Sequence, residues 1–168
     1  MRMIFCCLVF LAVWARAYST ELGVHTGIYI PAAEYIAETY CSSPAVGVNI
    51  LVHRPEYSFE GSITIVFPQH DTEVENFSAS MIPLLAGVRY TAGPIFYSVG
   101  GALHFVTEKY NDPVLGEYSK SSGLKGVYCN LGTFVHPGGL DIELSAKYHI
   151  IDFVFDKAWV SVTTGITF

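Results

Sequence analysis

Beyond residue 17, the sequence lacks long apolar runs and is poor in basic residues and cysteine. No stretch there approaches the roughly 20 consecutive apolar residues that a membrane-spanning helix needs, so such a helix is excluded. Seven basic residues face 15 acidic ones in the same region. Because proteins that bind nucleic acid carry basic patches, this balance argues against nucleic acid as a partner.

The first 17 residues have the composition of a cleavable secretory signal. A basic start, Met1-Arg2-Met3, precedes an apolar run from Ile4 to Trp14, and Ala15-Arg16-Ala17 supplies the small residues of a cleavage site. The apolar run is 11 residues long, which is well short of a spanning helix. We therefore predict a signal peptide at residues 1–17 and one mature domain at residues 18–168.

The rest of the chain alternates between apolar and polar residues in eight short segments. Side chains of a β-strand point to opposite faces in turn, so a period of two predicts strands. The weakly helical segment from Pro31 to Tyr40 is assigned to a loop. The predicted strands are 22–30, 44–53, 58–67, 81–90, 95–106, 124–135, 140–150 and 157–168.

The two strand faces differ in a way that orients the sheet. One face carries Leu, Ile, Val, Phe and Tyr, and the other carries glycine, small polar residues and most strand charges. A soluble barrel wets its outside, whereas a charged face rich in Gly and Ala suits a narrow interior. The strand lengths match the roughly 9–11 residues that cross a bilayer when tilted. The sequence therefore predicts an all-β, antiparallel, eight-stranded up-and-down transmembrane β-barrel, whose closure pairs the backbone amides as lipid requires.

The predicted connections alternate between short and long. Those after strands two, four and six are short, whereas 31–43, 68–80 and 107–123 are long. Such alternation is expected when periplasmic turns lie at one end of a barrel and extracellular loops at the other. The short connection 151–156 is expected to continue strands seven and eight beyond the membrane. An aromatic girdle at the membrane interfaces is expected to include residues near strand ends: Tyr57, Phe59, Tyr90, Phe96 and Trp159.

These features together resemble the small eight-stranded outer-membrane β-barrel proteins of Gram-negative bacteria. The resemblance rests on Ala15-Arg16-Ala17, the first strand from Leu22 to Pro31, the loop pattern, and the terminal Val-x-Val-x-x-x-Ile-x-Phe at Val160 to Phe168. It implies a monomer in the lipid bilayer of the outer membrane, with no cofactor. It also implies that Phe168 belongs to the signal that the barrel-assembly machinery reads. Functions in this class range from structural anchors and adhesins to lipid A enzymes, so the fold does not give the function.

The charged residues of the predicted inward face are assigned a structural role. Eight strands leave room for side chains only, and an unpaired charge inside is costly to desolvate. We therefore expect an ion-paired plug, with an ion-conducting lumen as the alternative, formed by Glu60, Arg89, Asp141, Glu143 and Lys147. The inward histidines match no metal-ligand spacing, so no metal site is assigned and interior hydrogen bonds are expected for His25, His53, His104 and His149.

One loop cluster has residue types suited to catalysis. His70-Asp71, with Ser78 or Ser80, offers a histidine, a carboxylate and a hydroxyl, but its spacing matches no motif of the lipid A enzymes. A polar loop of this kind is usually only solvated, so no catalytic residue is assigned and the chain is predicted not to be an enzyme. Cys41 and Cys129 could pair in an oxidising envelope, but a loop position and a lipid-facing strand position favour free thiols.

The sequence thus predicts an outer-membrane barrel with a structural or surface-interaction role, a plugged lumen and extracellular long loops. Two alternatives stay open. The first is a lipid-modifying enzyme of the lipid A deacylase or acyltransferase type, with His70, Asp71 or Ser78 carrying the activity. The second is a soluble secreted ligand-binding barrel. The sequence names no ligand or surface partner for the long loops.

Overall fold

Eight strands form a single sheet that closes on itself, and each strand is antiparallel to its neighbours in chain order. This computed structural model describes residues 19–37, 40–67, 77–112, 116–136 and 141–168. The predicted signal and the loop residues His70 and Asp71 lie outside these ranges. The strands are β1 Thr20–Pro31, β2 Ser43–His53, β3 Ser58–Val66, β4 Phe77–Ala92, β5 Ile95–Asp112, β6 Gly116–Val135, β7 Ile142–Ile151 and β8 Ala158–Thr167.

The barrel closes between the first and last strands. β1 pairs with β8 from Gly23 opposite Thr167 to Pro31 opposite Trp159. Beyond that ladder, the Phe168 amide donates to the Leu22 carbonyl at 2.8 Å, and the Leu22 amide donates to the Phe168 carbonyl at 3.2 Å. Closure removes the free edges of the sheet. A sheet can lie in hydrocarbon only if it has no such edges, because unpaired backbone groups cannot bond to water there.

The alternation of side chains confirms the predicted fold class and its orientation. Val24, Val48 and Ile63 are 49%, 52% and 51% exposed, whereas the adjacent inward residues His25 and Thr64 are 9% and 1% exposed. At this level of the barrel the outer surface is therefore apolar and the interior polar, which is the reverse of a soluble barrel and the arrangement of a membrane barrel.

Aromatic residues cluster on the outer surface near the short turns. Tyr57 packs edge-on against Phe59 at 5.3 Å between ring centroids, and Tyr90 stacks on Tyr97 at 5.3 Å. Tyr57 and Tyr90 are also adjacent, at 6.2 Å. Three predicted girdle residues thus share this cluster with Tyr97.

The girdle assignment was wrong for Phe96 and Trp159. Phe96 is fully buried and Trp159 is 6% exposed. Both occupy inward positions of their strands, so the side-chain period directs them into the lumen although they lie near strand ends.

The β5–β6 hairpin is much longer than the sequence predicts. The two strands remain paired from Ile95 opposite Thr133 to Asp112 opposite Gly116, so most of the predicted loop 107–123 is strand. β4 also begins earlier, at Phe77, which pairs with Tyr110. β7 ends opposite Gly126, so the upper half of β6 extends beyond its neighbour. The apolar pattern ends where the lipid-facing surface ends, while backbone pairing continues beyond it.

Two other connections at this end, β1–β2 and β7–β8, are compact in the residues that the structure describes, whereas residues 68–76 between β3 and β4 lie outside the described ranges. The segment assigned to a loop contains one helical turn, α1 Glu34–Ala37. The connection 151–156 does not extend the strands: Asp152 and Phe153 adopt positive φ angles of 53° and 58°, and a 3₁₀ turn follows at Phe155–Lys157. The described helices are all too short to cross a membrane. We call this end of the barrel the long-loop end, and the opposite end, with Arg54 to Tyr57, the short-turn end.

Candidate functional site

A buried charged cluster crosses the lumen near the short-turn end. Arg89 Nε donates to Glu60 Oε2 at 2.9 Å, and the Arg89 Nη1 and Nη2 atoms donate to Glu143 at 2.7 and 3.2 Å. The side chains of Arg89 and Glu60 are each 1% exposed. β7, which carries Glu143, does not adjoin β3 or β4, so these contacts connect opposite walls of the barrel. The bidentate pair with Glu143 is the strongest kind of ionic hydrogen bonding that arginine makes.

Lys147 is a further ionisable side chain in this part of the lumen. It lies on the inward face of β7, four residues beyond Glu143, and is buried. The nearby carboxylates of Glu60 and Glu143 reduce the cost of burying its ammonium group. Asp141 lies before the start of β7 at Ile142 and does not join these groups. Asp141 is exposed at the rim, where its Oδ1 lies 2.5 Å from His136 Nδ1.

Phe96 covers the arginine of the cluster. The guanidinium carbon of Arg89 lies 4.0 Å from the centroid of the Phe96 ring, a cation–π distance. Gly132, on the neighbouring strand β6, leaves the space that this ring fills, because a Cβ atom at Gly132 would overlap the ring of Phe96. The sequence alternation places Phe96 inward but contains no sign of its contact with Arg89.

Imidazoles and hydroxyls line the middle of the lumen. His25 Nε2 lies 3.0 Å from Thr64 Oγ1, and His149 Nε2 lies 3.0 Å from Ser161 Oγ. The ring of His104 meets the His149 ring edge-on at 5.7 Å between centroids. Three of the four predicted interior histidines thus lie at this level. Within the described ranges, no group of three or more His, Cys, Asp or Glu side chains is placed to hold a metal ion.

His53 lies at the rim of the short-turn end, where it makes two contacts that the sequence did not predict. Its Nδ1 atom lies 2.8 Å from Ser58 Oγ, and its Nε2 atom lies 3.0 Å from Glu21 Oε1. The strand register brings these residues together, since His53 pairs with Ser58 and Glu21 pairs with Leu51. The contacts tie β1, β2 and β3 together where the barrel opens.

An apolar cluster fills the lumen at the long-loop end. Ile36 of α1 is 7% exposed because the first long connection folds inward over the mouth. The cluster that it covers consists of Tyr29, Ala45, Val66, Met81, Val106, Ile151 and Trp159. The lumen therefore changes from charged to polar to apolar between its short-turn end and its long-loop end.

Aromatic rings continue from this cluster out along the β5–β6 hairpin. Successive ring centroids lie 5.7, 5.8, 5.0 and 4.8 Å apart. The last two rings are stacked, with an angle of 11° between their planes. We call this set the aromatic row, which in order from the barrel outward consists of Trp159, Tyr40, Phe77, Tyr110 and Tyr118.

A carboxylate holds two members of the aromatic row. The Tyr40 hydroxyl donates to Glu108 Oε1 at 2.6 Å, and the Tyr110 hydroxyl donates to Glu108 Oε2 at 3.2 Å. Desolvation and the nearby Glu108 carboxylate raise the pKa of Tyr110, so this phenol remains protonated and donates. The first long connection is thereby fastened to the hairpin through Tyr40.

Of the residues considered for catalysis, His70 and Asp71 lie outside the described ranges, and only Ser78 and Ser80 can be placed. Ser78 and Ser80 lie within β4, opposite Lys109 and Thr107, and not in a loop. Cys129 is exposed on the outer surface of β6, Cys41 is half-buried near the long-loop end, and both thiols are free.

Comparison with known proteins identifies the fold. No family model and no curated protein matches the sequence. Among solved structures, Neisserial surface protein A has a TM-score of 0.56 and 10% identity, covering 88% of this chain and 95% of its own. Ail, the attachment invasion locus protein of Yersinia pestis, has a TM-score of 0.54 and 11% identity, covering 89% and 96%.

A third structure and two further descriptions extend the comparison. The N-terminal β-barrel domain of Pseudomonas aeruginosa OprF has a TM-score of 0.52 and 10% identity, covering 88% of this chain and 97% of its own. Ail is described as an outer membrane protein and was also solved with the heparin analogue sucrose octasulfate. This chain therefore shares the fold of small eight-stranded outer-membrane β-barrels.

Proposed function

We propose that this chain is a non-enzymatic integral protein of the bacterial outer membrane that presents an interaction surface at its long-loop end. The proposal rests on two features of the barrel. Its outer wall is closed and apolar, and an ordered, partly exposed surface extends above that wall at the long-loop end. A purely structural barrel needs only the wall. The β5–β6 hairpin extends the sheet well beyond that wall and adds the ordered aromatic row.

The proposed location follows from the side chains. Apolar residues such as Leu22, Val48 and Leu131 are 52% to 62% exposed on the outer wall, which is stable only against hydrocarbon. Under this proposal, residues 1–17 direct export and Phe168 is read by the barrel-assembly machinery. The short-turn end then faces the periplasm and the long-loop end faces the exterior.

The lumen is proposed to be plugged and not to conduct ions. Arg89 is paired to carboxylates on opposite walls, and the apolar cluster packs under Ile36 at the other end. An ion would have to displace the guanidinium and cross an apolar layer, and both steps are costly. This argument supports a role at the surface in preference to transport.

The names of two structurally similar proteins support a surface role. One is a surface protein of Neisseria, and the other is named for attachment and invasion. With identities of 10% and 11%, these proteins support the kind of role and not a shared partner.

Site-directed labelling of intact cells tests the proposed function. In a background with Cys41→Ser and Cys129→Ser, Ser119→Cys on the hairpin is compared with Glu56→Cys in a short turn, using a membrane-impermeant maleimide. The proposal predicts labelling of Ser119→Cys in intact cells, and labelling of Glu56→Cys only after the outer membrane is permeabilised. Equal labelling of both before permeabilisation, or of neither after it, contradicts the proposed orientation.

A further inference from the structure

The hairpin face that points towards the barrel axis carries the outer part of the aromatic row. Even-numbered residues of β5 and β6 form this face, and on it the aromatic row rises from the buried Trp159 to Tyr118, which is 53% exposed. The row draws on five separate segments of the chain, so its order does not follow from one local sequence motif. A stack of tyrosine rings held in this way is rigid and exposes both an apolar face and polar edges.

We propose that the outer end of the aromatic row binds a neutral saccharide. This inference rests on the surface-interaction role proposed above and names the class of ligand. A pyranose ring offers a face of C–H groups and a rim of hydroxyls. The C–H face packs on the Tyr118 ring, and the hydroxyls reach the polar groups beside it.

The hydrogen-bonding groups of the row suit such a ligand. Glu108 already accepts from Tyr40 and Tyr110, one hydroxyl at each carboxylate oxygen. A carboxylate offers about four lone-pair positions, so each oxygen retains the capacity to accept a further hydroxyl. Lys120 and Ser122 lie on the same face of β6 as Tyr118 and supply donors. A sugar hydroxyl both donates and accepts, and so satisfies both kinds of group.

The charge of the hairpin favours a neutral ligand. Residues 107–125 contain three acidic and three basic residues, which gives no net charge. A polysulfated ligand would meet the Glu108 carboxylate next to the stacked rings, and Lys120, the lysine on the same face, lies opposite Glu108 and is balanced by it. An acyl chain would need an enclosed apolar groove, whereas Tyr118 is more than half exposed.

The test uses the full-length mature protein in lipid nanodiscs with defined saccharide probes. Saturation-transfer NMR and calorimetric titration measure binding of neutral tri- and tetrasaccharides of glucose, galactose and N-acetylglucosamine. A second probe is the dephosphorylated core oligosaccharide released from the outer-membrane glycolipid of the producing cells. Sucrose octasulfate is the anionic probe. Binding of the released core alone identifies the membrane glycolipid as the source, and binding of the free panel identifies an external glycan.

Three variants separate stacking from other effects. Tyr118→Ala removes the exposed ring and is expected to weaken saccharide binding by about tenfold or more. Tyr118→Phe keeps the ring and is expected to bind within about twofold of the parent. Ser119→Ala lies on the opposite face of β6 and is expected to change nothing. A heat-dependent shift in electrophoresis confirms that each variant is folded.

The inference is overturned if no neutral saccharide binds at millimolar concentration, if only sucrose octasulfate binds, or if Tyr118→Ala binds as tightly as the parent. Failure here leaves the proposed function standing if Ser119→Cys is still labelled on intact cells. Failure of that labelling instead removes the proposed function, and with it the basis for this ligand.

Discussion

Arg89 makes a cation–π contact with Phe96 inside the barrel, and its guanidinium carbon lies 4.0 Å from the centroid of the ring. The same guanidinium is bonded to Glu60 and Glu143. Arg89, on β4, thus contacts side chains of β3, β5 and β7 through two ion pairs and one cation–π contact.

Removing Arg89 should strongly destabilise the barrel. Arg89→Met leaves Glu60 and Glu143 buried without their main partner, and breaking a buried pair in this way costs about 3–5 kcal/mol. Urea unfolding in lipid vesicles, followed by tryptophan fluorescence, measures the loss. The exposed Lys125→Met is the matched control and should stay within about 0.5 kcal/mol of the parent.

A combined variant distinguishes two causes of the lost stability: the missing Arg89 contacts and the carboxylates left without a partner. Glu60→Gln, Arg89→Met, Glu143→Gln and Lys147→Met together remove all four buried charges, so much of the lost stability should return, because neutral groups are cheaper to bury than unpaired ions. Arg89→Met as stable as the parent would contradict the role assigned to the ion pairs.

Enlarging Gly132 should displace Phe96. A Cβ atom at Gly132 overlaps the Phe96 ring and the Leu144 carbonyl, so Gly132→Ala should cost about 1–3 kcal/mol through overpacking. Gly101→Ala is the control, since nothing lies within 4 Å of a Cβ atom there. Unfolding in vesicles compares the two, and equal stabilities would show that the Phe96 ring has room to move.

A charge on the outer wall should be costly in proportion to its depth in the bilayer. Val48 lies midway along β2 and Ile95 begins β5, and both are about half exposed. Val48→Lys should cost about 2–4 kcal/mol, whereas Ile95→Lys should cost about 0–1 kcal/mol. The free energy of unfolding in vesicles measures both, and a soluble barrel would tolerate the two substitutions equally.

Loss of one hydroxyl should loosen the first long connection. Tyr40→Phe keeps the ring in the aromatic row but removes the hydrogen bond to Glu108. Such a bond to a charged acceptor contributes about 1.5 kcal/mol or more, so local opening should become roughly tenfold more frequent. Hydrogen exchange at the amides of Ile36 and Ala37 measures it. Tyr97→Phe, on the outer wall, should leave these amides unchanged.

Side-chain alternation made the barrel predictable, and the same rule shows where prediction stopped. The period of two placed Glu60, Arg89 and Glu143 on one face, but only the closed topology brings opposite walls within bonding distance. Asp141 has the same parity but lies at the short-turn rim of the barrel, where its side chain is exposed. The odd or even position of a residue in its strand determines whether the side chain faces inward or outward. Its burial depends also on how far it lies from the ends of the barrel.

Two other features escaped sequence reasoning for a related reason. Above the lipid-facing wall, the outer face of β5 and β6 becomes polar, so the alternation that marks a membrane strand disappears while backbone pairing continues. The aromatic row combines Tyr40, Phe77 and Tyr118 from separate segments, and no spacing along the chain connects them. The proposed function depends on contacts between segments that are distant in the chain, and such contacts cannot be predicted from the pattern of a single sequence.

Electrophoresis of isolated outer-membrane fractions in mild detergent, with and without boiling, determines whether the chain forms a closed barrel in the outer membrane. A closed barrel with these interior contacts should remain folded in detergent at room temperature and change mobility only after heating. A closed outer-membrane barrel should be recovered in that fraction and should show a heat-dependent shift. Recovery as a soluble periplasmic or secreted protein with no shift would contradict the outer-membrane assignment, because the exposed apolar wall would then have no lipid to contact.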